Sequence, residues 1–234
     1  MTLQRPHLTA ILATSLDGKI ADRRGTAARF GSVNDKAHLE QQVAQVDAVL
    51  IGAGTLRAYG SSVRITSQAL LTERQQFGKP AQPIHIVCSA SGNLEPDWLF
   101  FRQPISRWLL TTREGGDRWQ GTPFFEQLLA SELEQGQFQW PLILHQLWSQ
   151  GIERLAVLGG GTLVGSLLSA HLLDEIWLTL CPFVFGSQTA PTLVEGVSYL
   201  EATAPRFRLL EVRANWDEVF LHYQIAQTNS NLDL

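Results

Sequence analysis

The stretch from Trp140 to Gly186, WPLILHQLWSQGIERLAVLGGGTLVGSLLSAHLLDEIWLTLCPFVFG, constrains the fold more than any other part of the chain. Pro141 stands at a first helical position and Gly151 at a stop, with Ile143, Leu144, Leu147 and Trp148 three and four apart on one helical face. RLAVLG then reads as a buried strand, the glycines as a turn, Thr162 to Leu172 as a second helix, and a long strand starts at Asp174. Strand, helix and strand in that order make a crossover, the unit of a parallel sheet, which closes in the right-handed sense.

Other short apolar runs supply more strands: His7 to Ser15, Asp47 to Gly52, Ile84 to Ser89 and Arg107 to Thr112. Leu16 to Gly31 is a loop rich in Gly, Arg and Asp, after which Ser32 and Asp35 resemble a capping box opening a polar helix through about Gln45. Pro80, Pro83, Pro96 and Pro104 mark connections as loops. Near the end RFRLLEVR and EVFLHYQI flank ANWD, and Val219, Leu221, Tyr223 and Ile225 alternate with polar or aromatic positions, which predicts an antiparallel hairpin at a sheet edge. The closing TNSNLDL reads as frayed. Without an internal repeat or a break in composition, the expectation is one α/β domain over 1–234, with its core at about 7–225. Its sheet is mixed and mostly parallel, with flanking helices and the C-terminal hairpin.

The formal net charge of −4 argues against a nucleic-acid or acidic-membrane partner. The first 64 residues nevertheless carry eight Lys and Arg against five Asp and Glu, an excess that suits a small anionic ligand. No stretch reaches the ~18 apolar residues of a membrane span, and the N-terminus lacks a signal-peptide cleavage pattern, so a cytoplasmic protein with no membrane partner is expected. Cys88 and Cys181 lie inside apolar runs without a Cys or His at metal-ligand spacing, which points to buried free thiols and no metal.

Chemistry concentrates in three turns. Strand–GGGT–helix at Gly159–Gly161 sets backbone N–H groups and a helix dipole at one spot, the makings of an anion site, although a close-packed turn uses glycines equally well. Gly159, Gly161 and Gly165 do not spell the dinucleotide fingerprint G-x-G-x-x-G, and no Lys follows to make a P-loop. IGAGTLR, Ile51 to Arg57, again ends a strand in glycine and runs into Thr55. Two such turns in different halves of the chain suit a ligand with two phosphate-bearing ends, bound outside the carboxyl ends of parallel strands. The third is TSLDGKIAD, Thr14 to Asp22, directly after the first strand.

Together these turns resemble the reductase domain of bacterial riboflavin-biosynthesis deaminase–reductases, a family with the dihydrofolate-reductase fold. Its SLDGK-I-A pattern is matched at Ser15 to Ala21, its D-A-V-L-x-G-x-G-T at Asp47 to Thr55, and its V-E-G-G-x-x-L…L-x-D-E, with one exception, at Val157 to Glu175. The resemblance spans about His7 to Ile225; the family's deaminase half has no counterpart here. It implies NADPH, with Ala13 and Thr14 lining the nicotinamide, Gly52, Gly54 and Thr55 meeting phosphates, and Ser89 near the adenosine. Gly159, Gly160, Gly161, Thr162 and Leu163 would hold the pyrophosphate. It further implies hydride transfer to C1 of the ribose imine of a phosphoribosylamino-pyrimidine. Ser15 and Asp17 become the catalytic candidates, Lys19 and Arg64 the partners of the substrate phosphate, and a homodimer the expected assembly. A reductase of another heterocycle such as a pterin, and a non-catalytic NADPH-binding protein, are the alternatives.

The departures fall on the substrate side. Leu158 stands where the family has a Glu, and Tyr59 where it has the Asp of A-D-x-P. Arg29-Phe30-Gly31-Ser32 replaces a Trp-Ile/Val-Thr-Ser segment, and Val43 replaces an Arg. A carboxylate can pair with pyrimidine N–H groups and a leucine cannot, so the loss at Leu158 bears on substrate choice. His85 and His222 alternate with apolar strand residues and read as structural. His171 reads as a dipole partner at a helix end, the tryptophans as packing, and Asp174-Glu175 as a strand start pointing to opposite faces.

Overall fold

The computed structural model describes residues 3–27 and 31–226; Arg29, Phe30 and the TNSNLDL tail lie outside them. The chain runs β1 (His7–Thr14), α1 (Val33–Val43), β2 (Ala48–Gly52), α2 (Ala53–Tyr59), α3 (Gln68–Gln76), β3 (Ile84–Cys88), β4 (Arg107–Thr111), α4 (Arg113–Asp117) and β5 (Gln127–Ala130). It continues with a small hairpin, β6 (Leu133–Glu134) and β7 (Gln137–Phe138), then α5 (Trp140–Ser149), β8 (Arg154–Val157), α6 (Gly161–Ser169), β9 (Glu175–Leu180), β10 (Phe207–Asn215) and β11 (Glu218–Ile225). The main sheet has the order β10-β11-β9-β1-β8-β2-β3-β4-β5. Strands from β9 to β5 pair in parallel, whereas β11 joins β9 antiparallel and β10 forms the edge.

Both sheet faces are covered, which is why the central strands read as continuous apolar runs. Leu8, Ala10, Leu12, Leu50, Leu155 and Val157 point to one face and pack on α5 and α6. Ile11, Val49, Ile51 and Ala156 point to the other, against Val43 of α1, Leu56 of α2 and an aromatic group around Phe100, Phe101 and Trp119. The crossover α5–β8–α6–β9 is present as its periodicity required.

Several ends differ from the sequence reading. β9 stops at Leu180 instead of running on to Gly186, because Pro182 has no N–H for the ladder. The α6 helix stops at Ser169 rather than Leu172: His171 adopts φ 56°, and His171 and Leu172 donate to Leu168 and Leu167 (3.0 Å each), a left-handed Schellman closure. The Ser32 cap is real, its hydroxyl accepting from Asn34 N (2.9 Å) and Asp35 N (3.3 Å), but Asp35 does not return the bond. Glu218, from β11, takes the Ser32 N–H instead at 2.9 Å and its hydroxyl at 2.5 Å. The far end of α1 is tied by Arg74 of α3, a buried guanidinium that donates to the Ala44, Val46 and Pro80 carbonyls, each at 2.8 Å. Both cysteines are free thiols, and burial pushes each up to about 12. Among the described residues no helix is long and apolar enough to cross a membrane.

Candidate active site

Five neighbouring strands, β9, β1, β8, β2 and β3, end side by side at one edge of the sheet, and the turns after β1, β2 and β8 lie there. Gly52 N donates to Gly159 O at 2.8 Å, so the turn after β2 and the turn after β8 touch. The Gly159–Gly160 peptide is cis, and Gly159 has φ 88°, a conformation that favours glycine. A Cβ on Gly52 would come within 3.3 Å of Gly159 O and Gly160 N; one on Gly160 would come within 3.3 Å of Thr55 Oγ1. Side-chain-free backbone is therefore what lets the two turns converge.

The first turn of α6 leaves the N–H groups of Gly161, Thr162 and Leu163 without partners inside the helix, and α2 begins beside it with Gly54 and Thr55. Unpartnered N–H groups at a helix start and a close approach of backbone are the features of an anion site. Leu163 itself is buried in the core, so only its backbone is available. Ser89, directly after β3, lies one strand beyond Gly52, whose register partner is Cys88. Ala13 is half-exposed at the mouth, whereas Thr14 is buried and turns its hydroxyl to the Ser15 and Lys19 carbonyls, so Ala13 is the side chain of the pair that faces outward.

One group beside α6 was not foreseen. The backbone of Glu195 lies so close to Gly161 and Gly165 that a Cβ on either would collide with it or with its side chain. Its carboxylate accepts from Thr192 N at 3.0 Å and from Thr162 Oγ1 at 3.4 Å, which sets a negative charge at the first turn of the helix. The loop around it has no periodicity or motif, so nothing in the sequence marked it.

The first loop is knitted to the segment after β9. The Ser15 hydroxyl, fully buried, donates to Asp17 Oδ1 at 2.6 Å and accepts from Lys19 N at 2.9 Å. Asp17 also accepts from Phe185 N (3.1 Å) and Gly186 N (2.8 Å). The Ser15 hydroxyl and then these amides lower its carboxyl to about 2. A group this acidic stays ionised and carries no proton near neutrality. The catalytic candidates Ser15 and Asp17 thus bond each other and tie the first loop to the segment after β9. Lys19 continues the zipper through a bridge to Thr192, close to the start of α6. Arg64 is not part of this cluster. It is exposed, on the 60–67 segment whose Thr66 and Ser67 N–H groups bond Glu40 of α1 at 2.5 Å each.

On the α1 face of the sheet, Leu158 packs with the core beside β1. Asp35, read from sequence only as part of a cap, is half-buried near Thr179 of β9 and Glu218 of β11, and burial is the main cause that raises its pKa. Thr179 is the register partner of Ala13, so both belong to this site. Among the described residues no group of three His, Cys, Asp or Glu could hold a metal ion.

A pyrimidinone 5′-phosphate reductase of Archaeoglobus fulgidus, 2,5-diamino-6-ribosylamino-4(3H)-pyrimidinone 5′-phosphate reductase, is 28% identical over 197 residues, covering 84% of this chain and 90% of that protein. Riboflavin biosynthesis protein RibD of Escherichia coli is 29% identical over 222 residues, covering 93% of this chain but 59% of that longer protein. A pyrimidine reductase-like protein of Corynebacterium diphtheriae superposes with a TM-score of 0.79 at 20% identity, over 95% of this chain and 92% of that one. A dihydrofolate reductase of Enterococcus faecalis complexed with NADP(H) gives a TM-score of 0.51 at 13% identity over 94% of this chain and 97% of that one. These structures establish the dihydrofolate-reductase-like fold. Residues 6–221 match the family described as RibD C-terminal domain, and to that family the chain belongs.

Proposed function

We propose that the protein is an NADPH-dependent reductase of a phosphoribosylamino-pyrimidine, acting in riboflavin biosynthesis. The observation that supports this reading is the contact between the two glycine turns, Gly52 N to Gly159 O at 2.8 Å, which joins the turns after β2 and β8. Gly52, Gly54 and Thr55 on one side and Gly159 to Leu163 on the other would meet the phosphates, Ser89 the adenosine end, and Ala13 the nicotinamide. Arg57 and the serines near Ser89 suit a 2′-phosphate.

Bound there, the cofactor supplies a hydride to the electrophilic carbon of the substrate. The chain's own residues orient and enclose. Ala13 presents no bulk to the ring, and Ser15 and Asp17 fix the loop over it. Lys19 takes the substrate phosphate, and water protonates the developing amine. Positioning of this kind is the main service a protein renders when the cofactor carries the chemistry.

The test is NADPH oxidation by purified protein with the ribosylamino-pyrimidine phosphate and with dihydrofolate. Turnover of the first alone supports the proposal. Turnover of the second supports a pterin-type reductase, which Leu158 favours by removing the family carboxylate. Tight NADPH binding with neither turnover marks a binding protein. The reading extends to a cytoplasmic homodimer. β10 is an unpaired edge with Leu209, Leu210 and Val212 exposed, and antiparallel pairing of two copies about Val212 would set Glu211 opposite Arg213, a favourable cross-strand pair. Sedimentation of wild type against Val212→Lys reports on it.

A further inference from the structure

The α1 helix crosses its face of the sheet on a slant. Its start is held to β11 through Ser32 and Glu218, and its end leads through Val46 into β2. That course leaves a groove of about 280 Å³ between the last turns of α1 and the edge strand β10. Arg154 and Glu175, which open β8 and β9, line it, so it lies toward the strand starts and away from the edge that bears the glycine turns. Trp177 and His222, register partners on β9 and β11, form its floor as a stacked pair, with 4.2 Å between centroids and 10° between planes.

The lining is polar and only partly committed. Glu175 is taken by His222 Nε2 at 3.0 Å, with His7 Nε2 3.7 Å from its other oxygen. Arg213 is turned onto the Phe220 ring at 5.1 Å and onto His38 Nδ1 at 3.2 Å. The rest is free: among the described residues the side chains of Arg154, Glu211, Gln41, Gln42 and Gln45 make no hydrogen bond or ion pair. Around them, His38 Nε2 and His7 Nδ1 are buried without a partner, and buried polar atoms in that state call for a physical reason. The groove therefore offers a free cation at its β8 end, a free carboxylate at its β10 end, and carboxamides along the α1 wall. A carboxamide sets a donor beside an acceptor, which matches the C=O and N–H of a lactam edge. Arg154 pairs with His7 and Trp177 with Ile11. Two strand spacings and four residues put them ~16 Å apart at Cα, a gap that an extended arginine and a mononucleotide together span.

We infer that this groove is a second binding site, for a mononucleotide-like ligand: a planar heterocycle with a lactam edge, joined through a sugar or polyol to a phosphate. Arg154 takes the phosphate. The carboxamides of Gln41, Gln42 and Gln45 meet the lactam edge, Glu211 accepts a ring N–H, and the Trp177–His222 pair supplies ring surface. Guanine and flavin mononucleotides share this chemistry; an adenine nucleotide has no lactam. Because the groove opens away from the glycine turns, the ligand binds together with NADPH and not in its place. The groove keeps this chemistry whether or not the protein reduces a pyrimidine.

Calorimetry on NADP⁺-saturated protein tests it, with flavin mononucleotide, GMP, AMP and riboflavin as probes. Flavin mononucleotide or GMP should bind, and the tighter of the two identifies the heterocycle. AMP, which lacks the lactam, and riboflavin, which lacks the phosphate, should each bind roughly tenfold or more weakly. Arg154→Ala should weaken nucleotide binding by roughly 10-fold to 100-fold, the worth of one charged hydrogen-bond partner. Gln45→Glu, which sets a like charge in the groove, should weaken it as well. NADPH affinity should be unchanged in both variants, which controls for folding. If neither nucleotide binds the NADP⁺-saturated protein, the inference fails. It fails equally if both variants hold the nucleotide as tightly as wild type, which would place it outside the groove, or if AMP and riboflavin bind as well as the others.

Discussion

Gly52 and Gly159 are joined by a 2.8 Å backbone hydrogen bond across the ends of two parallel strands, and a Cβ on either would be crowded by its neighbours. A Cβ on Gly52 has only 3.3 Å to the Gly159 carbonyl, and backbone there cannot swing aside as a flexible side chain would. Gly52→Ala should push the two turns apart, costing about 1–3 kcal/mol of stability from overpacking and raising the NADPH dissociation constant by roughly tenfold or more. Fluorescence titration with NADPH checks the second number, and denaturant unfolding the first.

Glu195 makes the opposite prediction for the same cradle. Its carboxylate sits at the first turn of α6, where it favours the helix but repels the phosphates the helix end would attract. Glu195→Gln should tighten NADPH about threefold to tenfold, the scale of one charge near a helix terminus, and the gain should shrink as salt rises. Titrations at low and high ionic strength would expose a variant that binds no better than wild type.

For Asp17 the issue is role. Asp17→Asn loses the ionised acceptor shared by Ser15, Phe185 and Gly186, so the loop over Ala13 should loosen and substrate KM should rise severalfold. The pH dependence of kcat should keep its shape, because a carboxyl already ionised above about 2 does not titrate in the working range. A lost limb in the pH–rate profile would restore Asp17 to the chemistry.

Two buried histidines set the acid limit of the fold. His85, paired through Nδ1 with Ser62 Oγ at 2.7 Å, is pushed down to about 3 by burial and then Arg107; His38 is pushed to about 4 by burial, then Arg213 and His222. Below the ordinary histidine value of 6.5 the unfolded chain takes up protons that the folded one refuses. Stability is therefore complete above that pH and falls as pH drops from about 6.5 toward 4, at up to roughly 1.4 kcal/mol per pH unit for each excluded proton. Urea unfolding from pH 7 to 4.5 measures the slope, and His85→Gln should flatten it.

Arg74 carries a purely structural prediction. Arg74→Ala strands the Ala44, Val46 and Pro80 carbonyls and empties a buried site, at a cost of about 3–5 kcal/mol. Unfolding midpoints report it, with NADPH affinity of the folded fraction unchanged because the site lies at the other end of α1.

The crossover, the glycine turns and the C-terminal hairpin were legible because each is written in neighbouring residues: periodicity, a strand ending in Gly, two apolar runs about a turn. What escaped depends on contacts between distant segments. Asp35 reads locally as half of a capping box, but the acceptor of the Ser32 N–H is Glu218, which only the distant β11 brings to that helix start. Glu195 sits in an unpatterned loop and matters because Gly161 and Gly165 let it close on α6. Ser15 and Asp17 stand out from their place after β1, but the amides that engage Asp17 come from beyond β9. The α4 helix and β5 are too short for periodicity to mark.

Glu218 reaches from β11 to hold Ser32, 186 residues earlier, and through it the turn of α1 that bears Asp35. On the ribosome, both glycine turns and the strands beneath them exist before that glutamate is made. The nascent protein therefore holds both glycine turns before it can fasten the start of α1, and a mutation in the last hairpin can loosen that helix without touching either turn.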